Sequence, residues 1–263
     1  MATMVMLSLC VTATSLPAPA ANTVSYPAGL PDQLEPSKMA PPGSHALPGY
    51  QLTYVNDFTG STIPAGWDLF TGHPGGIPTA TFSAQHVVVA NGLLQLRTYR
   101  DPAYRNMWTT GGLCQCLKHV QYGAFFVRSR ITSGGPNSVE LLWPVPNIWP
   151  PEIDFSENLG HANLSTSTTH WGVAPANNTQ FQVIKINMLK WHTWGVIWTP
   201  TYILYLVDGQ PWHEFSITPD IPQVPMTLDF EQRAFCPSTT DCPTQPSAML
   251  IDWVAEYQPL GSN

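Results

Sequence analysis

Basic residues are scarce. Lys and Arg number 10 in 263 residues, against 17 Asp and Glu, giving a net charge of −7 and a pI near 5.5. A nucleic-acid partner needs clustered cations along the phosphates, so this balance excludes one. Charge of either sign is thin, at 10% of the chain. Past the N-terminus no run of 18 or more apolar residues occurs, so no transmembrane anchor and no membrane partner are expected. No glycine-rich loop follows a strand and there is no G-x-S-x-G elbow, which argues against a nucleotide enzyme or a serine nucleophile. The 8 His show no metal-ligand spacing. Cys114-Gln115-Cys116 has no second pair at zinc spacing. Clear helical periodicity is missing too. Proline (27) and glycine (19) are abundant instead, which suits a turn-rich all-β chain.

The chain divides by composition. Residues 1–21 read as a signal peptide, with an apolar run from Met4 to Val11 and Ala18-Pro19-Ala20 as a cleavage site, although no Lys or Arg precedes the run. Residues 22–48 carry six prolines and little periodic apolar character, so they read as a Pro-rich linker or an irregular arm. One folded domain is expected over 49–258, with 259–263 as a tail. Strand signals recur at short intervals from Gln51 to Tyr257, and Asn91-Gly92 between two apolar runs predicts a hairpin. About ten short strands with no internal repeat predict a two-sheet antiparallel β-sandwich. Five cysteines leave four after signal removal, and an exported chain would pair them as disulfides. Cys236 and Cys242 flank a short polar loop. Cys114 and Cys116 are two apart, so they need a turn to bridge each other or else bond to the other pair, and three connectivities stay open.

Acid is concentrated in one stretch, Glu152-Ile153-Asp154-Phe155-Ser156-Glu157. On a strand, Glu152 and Asp154 share a face. Glu157 falls one residue late, and a single-residue bulge at Phe155-Ser156 returns it to that face. Paired carboxyl groups cleave glycosidic bonds, one attacking the sugar and one protonating the leaving oxygen, while a third holds their proton affinities apart. The Cα atoms of Glu152 and Glu157 should lie roughly 13 Å apart, so long side chains on a curved sheet must converge to the about 5–5.5 Å of a retaining pair. Spacing alone does not choose the working pair. A solvated strand face and a calcium site are the plainer readings of three clustered acids. Trp143 and Trp149 sit just upstream and suit stacking on sugar faces, with core packing as the alternative. His170 lies on a neighbouring strand signal.

These residues together resemble glycoside hydrolase family 16. Glu152 to Glu157 matches its E-x-D-x-x-E signature. Tyr122-Gly123 with Arg128, Trp143, Trp149-Pro150, the segment from Trp191 to Gly209, and Ile251-Asp252-Trp253-Val254 resemble its flanking motifs, so the likeness spans roughly 50 to 258. The resemblance implies a concanavalin A-like jelly roll and a secreted, monomeric, retaining endo-glycanase that needs no cofactor. Carried over by position, Glu152 is the nucleophile, Asp154 its assisting carboxylate and Glu157 the general acid/base. Trp143, Trp149, His170, Arg128 and Trp108 line the polysaccharide site. A structural calcium would draw on Asp57 and Asp252. The bulged motif resembles the β-1,3-glucanase branch. Galactan or agar hydrolases, transglycosylases and a lectin-like binding module on the same fold are the alternatives. Three departures stand out: Pro151 before the first Glu, Phe126 where an acid is common, and Asp229 to Arg233 with the Cys236–Cys242 segment in place of a tryptophan-bearing loop.

Overall fold

The computed structural model describes residues 25–73, 79–236 and 240–261. The expected signal segment lies outside the described residues. The strands in chain order are β1 Leu30–Pro31, β2 Met39–Ala40, β3 Tyr50–Asn56, β4 Asp68–Leu69, β5 Val87–Ala90, β6 Leu93–Asp101, β7 Met107–Thr109, β8 Gly112–Cys114 and β9 Gly123–Ile131. They continue as β10 Asn137–Pro144, β11 Glu152–Glu157, β12 Leu164–Trp171, β13 Asn178–Lys185, β14 His192–Trp198, β15 Ile203–Val207, β16 Gln210–Phe215, β17 Met226–Arg233 and β18 Ser247–Pro259. Among the described residues only single 3₁₀ turns interrupt them, and no helix is long and apolar enough to cross a membrane.

Two antiparallel sheets stack face to face. One has seven strands in the order β13-β12-β11-β10-β17-β8-β4. The other runs β16-β15-β14-β9-β18-β6-β5, with β3 and β7 added on β18 and β6. The predicted hairpin forms between β5 and β6, where Asn91 (φ 58°) and Gly92 (φ 71°) supply the two left-handed residues its tight turn demands. The main core lies between the sheets and includes Leu142, Ile153, Phe155, Trp194, Trp198 and Phe230.

A second apolar layer covers the outer face of the nine-stranded sheet. It contains Phe126, Ile197, Leu206, Trp253 and Tyr257, all nearly or fully buried. This explains why β9, β14 and β18 read as near-continuous apolar runs: both of their faces are covered. The cover is the N-terminal segment. Trp253 Nε1 donates to Met39 O (2.8 Å), Tyr257 OH to Gly43 O (2.8 Å) and Thr193 Oγ1 to Ala28 O (2.8 Å). Ser37 N donates to Asp252 Oδ2 (3.1 Å). The expected folded start at Gly49 is therefore too late. Residues 25–48 are an arm docked on the sheet and not a free spacer. Its prolines break periodicity, so its apolar contacts carry no strand or helix signature.

Candidate active site

The site stands on the outer, solvent-facing side of the seven-stranded sheet. Directly paired residues of neighbouring strands share a face, so the register lists its members. Glu152 pairs with His170, Asp154 with Thr168 and Leu141, and Glu157 with Thr166 and Val139. On the far side of β10, Val139 pairs with Glu231, Leu141 with Asp229, Trp143 with Thr227 and Asn137 with Arg233. Between Asp154 and Glu157 the register slips against both β10 and β12. That slip is the anticipated bulge, and Phe155 is the extra residue against β10. It brings all three acids to one face, while Ile153 and Phe155 stay fully buried in the core.

Each acid is held differently. Trp149 Nε1 donates to Glu152 Oε2 at 2.6 Å. His170 Nε2 lies 3.3 Å from Asp154 Oδ2, and its Nδ1 is 3.1 Å from Asn177 Oδ1. The Trp149 and His170 rings sit 5.5 Å apart, walling the Glu152 end. Glu157 Oε1 accepts two bonds, from Asn137 Nδ2 (2.7 Å) and Arg233 Nη2 (3.0 Å). Arg233 Nε also faces Glu231 Oε2 at 3.5 Å. On the same face Asp229 Oδ1 and Thr227 Oγ1 are buried with no hydrogen-bond partner.

Burial dominates the electrostatics. It pushes Glu152 and Asp154 well above the ordinary carboxyl range, and each is pushed further by a neighbouring carboxylate, Asp154 for Glu152 and Glu157 for Asp154. His170, the Trp149 bond and Arg233 pull Glu152 the other way; Arg233 does so for Asp154. Asp229 is raised by burial and by the Glu231 and Glu152 charges. The surrounding acids keep Arg233 charged against its own desolvation. Crowded carboxyls of this kind titrate as a unit.

Several expected site residues meet here and others do not. Trp143, on β10, donates from Nε1 to Asn147 Oδ1 (2.8 Å) on the face of the acids, and Trp149 and His170 join it there. Arg128 does not belong. It lies on the outer face of the other sheet, where Nε donates to Ser37 Oγ (2.9 Å) and Nη1 to Thr193 Oγ1 (3.2 Å), tying down the arm. β9 alternates, and Phe125 and Val127 take the core side. Phe126 shares the outer face under the arm, so its departure from the family pattern is remote from the acids. Its ring occupies the space a side chain on Gly195 would need, 2.7 Å from the would-be Cβ. Trp108 lies on the β6–β7 ribbon of the other sheet, with the Arg100 guanidinium 4.9 Å from its ring centroid.

Asp57 and Asp252 lie on the arm side, away from the acids. Asp252 is fully buried and its Oδ1 has no hydrogen-bond partner, while Asp57 accepts from Thr59 Oγ1 (3.1 Å). Glu35 on the arm is raised by burial and by the charges of Asp252 and Asp57. These three carboxylates do not converge as metal ligands do; among the described residues the group whose ligand atoms lie within 4.8 Å of one another is Glu152, Asp154 and His170.

The sequence reading passed over Asn137, Glu231 and Arg233 as site members. The signal was present: Asp229, Glu231 and Arg233 alternate with apolar Leu228 and Phe230, the pattern of a strand with a charged outer face. Both cysteine pairs bridge, Cys114–Cys116 with Cα atoms 5.0 Å apart and Cys236–Cys242 at 4.6 Å.

Comparison with known proteins gives the family and the fold. The sequence model described as glycosyl hydrolases family 16 matches residues 78–255. A search of curated protein sequences finds no match. Solved structures with the same fold include the laminarinase catalytic domain of Thermotoga maritima MSB8 (21% identity, TM-score 0.70, covering 81% of this chain and 99% of that one). The laminarinase of Rhodothermus marinus is similar at 20% identity and TM-score 0.70 (80% and 97%). A β-1,3-1,4-glucanase (lichenase) from a mouse hindgut metagenome follows at 20% and 0.66 (79% and 99%).

Proposed function

The chain belongs to glycosyl hydrolase family 16, and from that premise we propose that it is a secreted endo-β-glucanase cleaving β-1,3 linkages with retention. The observation that carries this reading is the bulged strand β11, which brings Glu152, Asp154 and Glu157 to one face of the sheet. Glu152 attacks the anomeric carbon while Glu157 gives its proton to the departing glycosidic oxygen. Glu157, now ionised, takes a proton from water as that water displaces Glu152 from the sugar. The contacts suit these roles. The Trp149 indole donates to Glu152 and so favours charge on the nucleophile. Trp143 and half-exposed Trp149 offer sugar-stacking faces. The orphaned Asp229 Oδ1 and Thr227 Oγ1 are suited to sugar hydroxyls.

The fold shared with two laminarinases supports the β-1,3 choice. Two disulfides and the apolar N-terminal run support secretion. A structural calcium on Asp57 and Asp252 would show as a melting temperature that rises with calcium and falls with EDTA. The function is tested by reducing-end release from purified residues 25–263 on laminarin, mixed-linkage β-glucan and agarose, beside Glu152→Gln. Laminarin cleavage lost in the variant is the expected result. Agarose cleavage would overturn the substrate, and binding without cleavage would overturn the enzyme.

A further inference from the structure

Glu157 has unusual company for a group that must hold a proton and then release it. Its Oε1 takes two donors, the neutral Asn137 amide at 2.7 Å and the Arg233 guanidinium at 3.0 Å. Donors and a cation at this range favour an ionised carboxylate. Other groups push the opposite way. On its own strand stand Asp154 and Glu152. On β17 stand Glu231, paired through Val139 with the same register row, and Asp229 one row on. β12 contributes Thr166 directly opposite and His170 further along, and β10 contributes only Asn137 and Val139. Arg233 is thus the cation that touches Glu157, set among carboxylates.

Arg233 does not serve Glu157 alone. Its Nε faces Glu231 Oε2 at 3.5 Å while its Nη2 faces Glu157. Glu231 and Arg233 are two apart on β17, so both rise from one face and the guanidinium is divided between two carboxylates. The chain on either side is anchored. Arg233 is followed by the Cys236–Cys242 bridge, with Phe235 N bonded to Asp241 O at 2.8 Å. That loop packs its Thr240 and Asp241 backbone against Gly160, three residues after Glu157, where φ is +77° and a side chain has no room. The two segments that carry Glu157 and Arg233 are therefore clamped together.

We propose that Arg233 is a positioning residue which, restrained by Glu231, sets the proton affinity of Glu157 and with it the pH range of the acid/base step. This rests on the acid/base role given to Glu157 above. The chemistry needs a compromise. With Arg233 removed, the surrounding carboxylates hold the proton on Glu157 more tightly and weaken it as an acid. With Glu231 removed, the whole guanidinium charge falls to Glu157, which loses its proton too early to act as an acid. Asn137 adds a donor but no charge, so it orients the group and does not substitute for Arg233.

Substitutions at Arg233 and at Glu231 make opposite predictions, which a merely structural role for β17 would not. The experiment is the pH dependence of kcat/KM on a laminarin oligosaccharide for the wild type, Arg233→Gln, Arg233→Lys and Glu231→Gln, with melting temperatures to confirm folding. Carbon NMR of the glutamate carboxyls, assigned with Glu157→Gln, follows Glu157 in the same proteins. Arg233→Gln should move the alkaline limb and the Glu157 titration upward by about one pH unit. Arg233→Lys should return both toward the wild type, and Glu231→Gln should move both downward. An unmoved Glu157 in Arg233→Gln, or shifts of the same sign in Arg233→Gln and Glu231→Gln, would overturn the proposal. Should Arg233→Gln not fold, the direction in Glu231→Gln decides alone: downward supports it, unchanged or upward refutes it. If the wild type cleaves no glycan, the hydrolase reading falls, while the NMR titration still decides this one.

Discussion

Glu152 is held by one indole donor and Glu157 by an amide and a guanidinium, and the difference has measurable consequences. Replacing Glu157 by Gln removes the proton it must transfer. The initial rate on laminarin should fall by about 10²–10⁴-fold, the usual worth of a positioned acid/base group. Trp149→Phe keeps a ring beside His170 but deletes the 2.6 Å bond to Glu152. A hydrogen bond to a charged group is worth about 1.5–3 kcal/mol. kcat/KM should drop by at least about tenfold, and the acid limb of its pH profile should move up. The sign follows from the donor: it favours ionised Glu152, so losing it raises the pH needed to ionise the nucleophile. At this scale the acids, Trp143, Trp149 and His170 were legible, because a cluster of three carboxylates is rare in so weakly charged a chain. Arg128 was misread because its strand motif says nothing about which face looks at the cleft.

The arm and the edge strands tell a different story. The composition of residues 22–48 fits a linker as well as an arm, yet within it residues 25–48 satisfy Trp253, Tyr257, Asp252 and Arg128. Burying a large aromatic contributes about 1.5–3 kcal/mol, and two fully buried ones sit under the arm. A chain beginning at Gly49 should therefore melt several degrees lower than one beginning at Ser25, by thermal unfolding of the two proteins. Ser37→Ala should lose a smaller part of that, since it removes only the hydroxyl that meets Arg128. Among the strands, the central ones were plain from their runs of Val, Ile, Phe and Trp. β13 was not, because it is an exposed edge strand with polar residues on both sides and little apolar alternation to detect. The acidic strand was readable down to its bulge, since only a slip of one residue brings three acids at that spacing to one side.

Across the whole molecule, buried acids set the response to pH. Glu140, Glu152, Asp154, Asp229 and Glu256 are all raised, chiefly by burial. A carboxyl raised on folding binds its proton more tightly in the folded state, so its contribution is intact below the unfolded value and is lost as pH rises. Asp101 and Asp208 are lowered, by hydrogen bonds to Ala103 and His86 for the first and to His192 and Thr193 for the second. Their contribution is lost as pH falls through the acid range. Stability should therefore peak at mildly acidic pH and decline toward pH 8, measured as melting temperature against pH. Glu140 is the sharpest case. It is fully buried between the sheets, bonded from Ser129, with its second oxygen unpartnered. Glu140→Gln should raise neutral-pH stability by about 1 kcal/mol or more and flatten that decline.

The sequence by itself determined the all-β class, the family signature and the bulged acidic strand, because each is written in local spacing that any compact fold must respect, while the cysteine pairing waited on the tertiary structure. Tertiary structure decided which face every alternating strand presents, and so removed Arg128 and Phe126 from the cleft and placed Arg233 and Asn137 beside Glu157. Those contacts join positions far apart in the chain, Glu157 and Arg233 being 76 residues apart. Only strand order and register, which follow from how the two sheets bury their apolar faces, bring such residues within bonding distance.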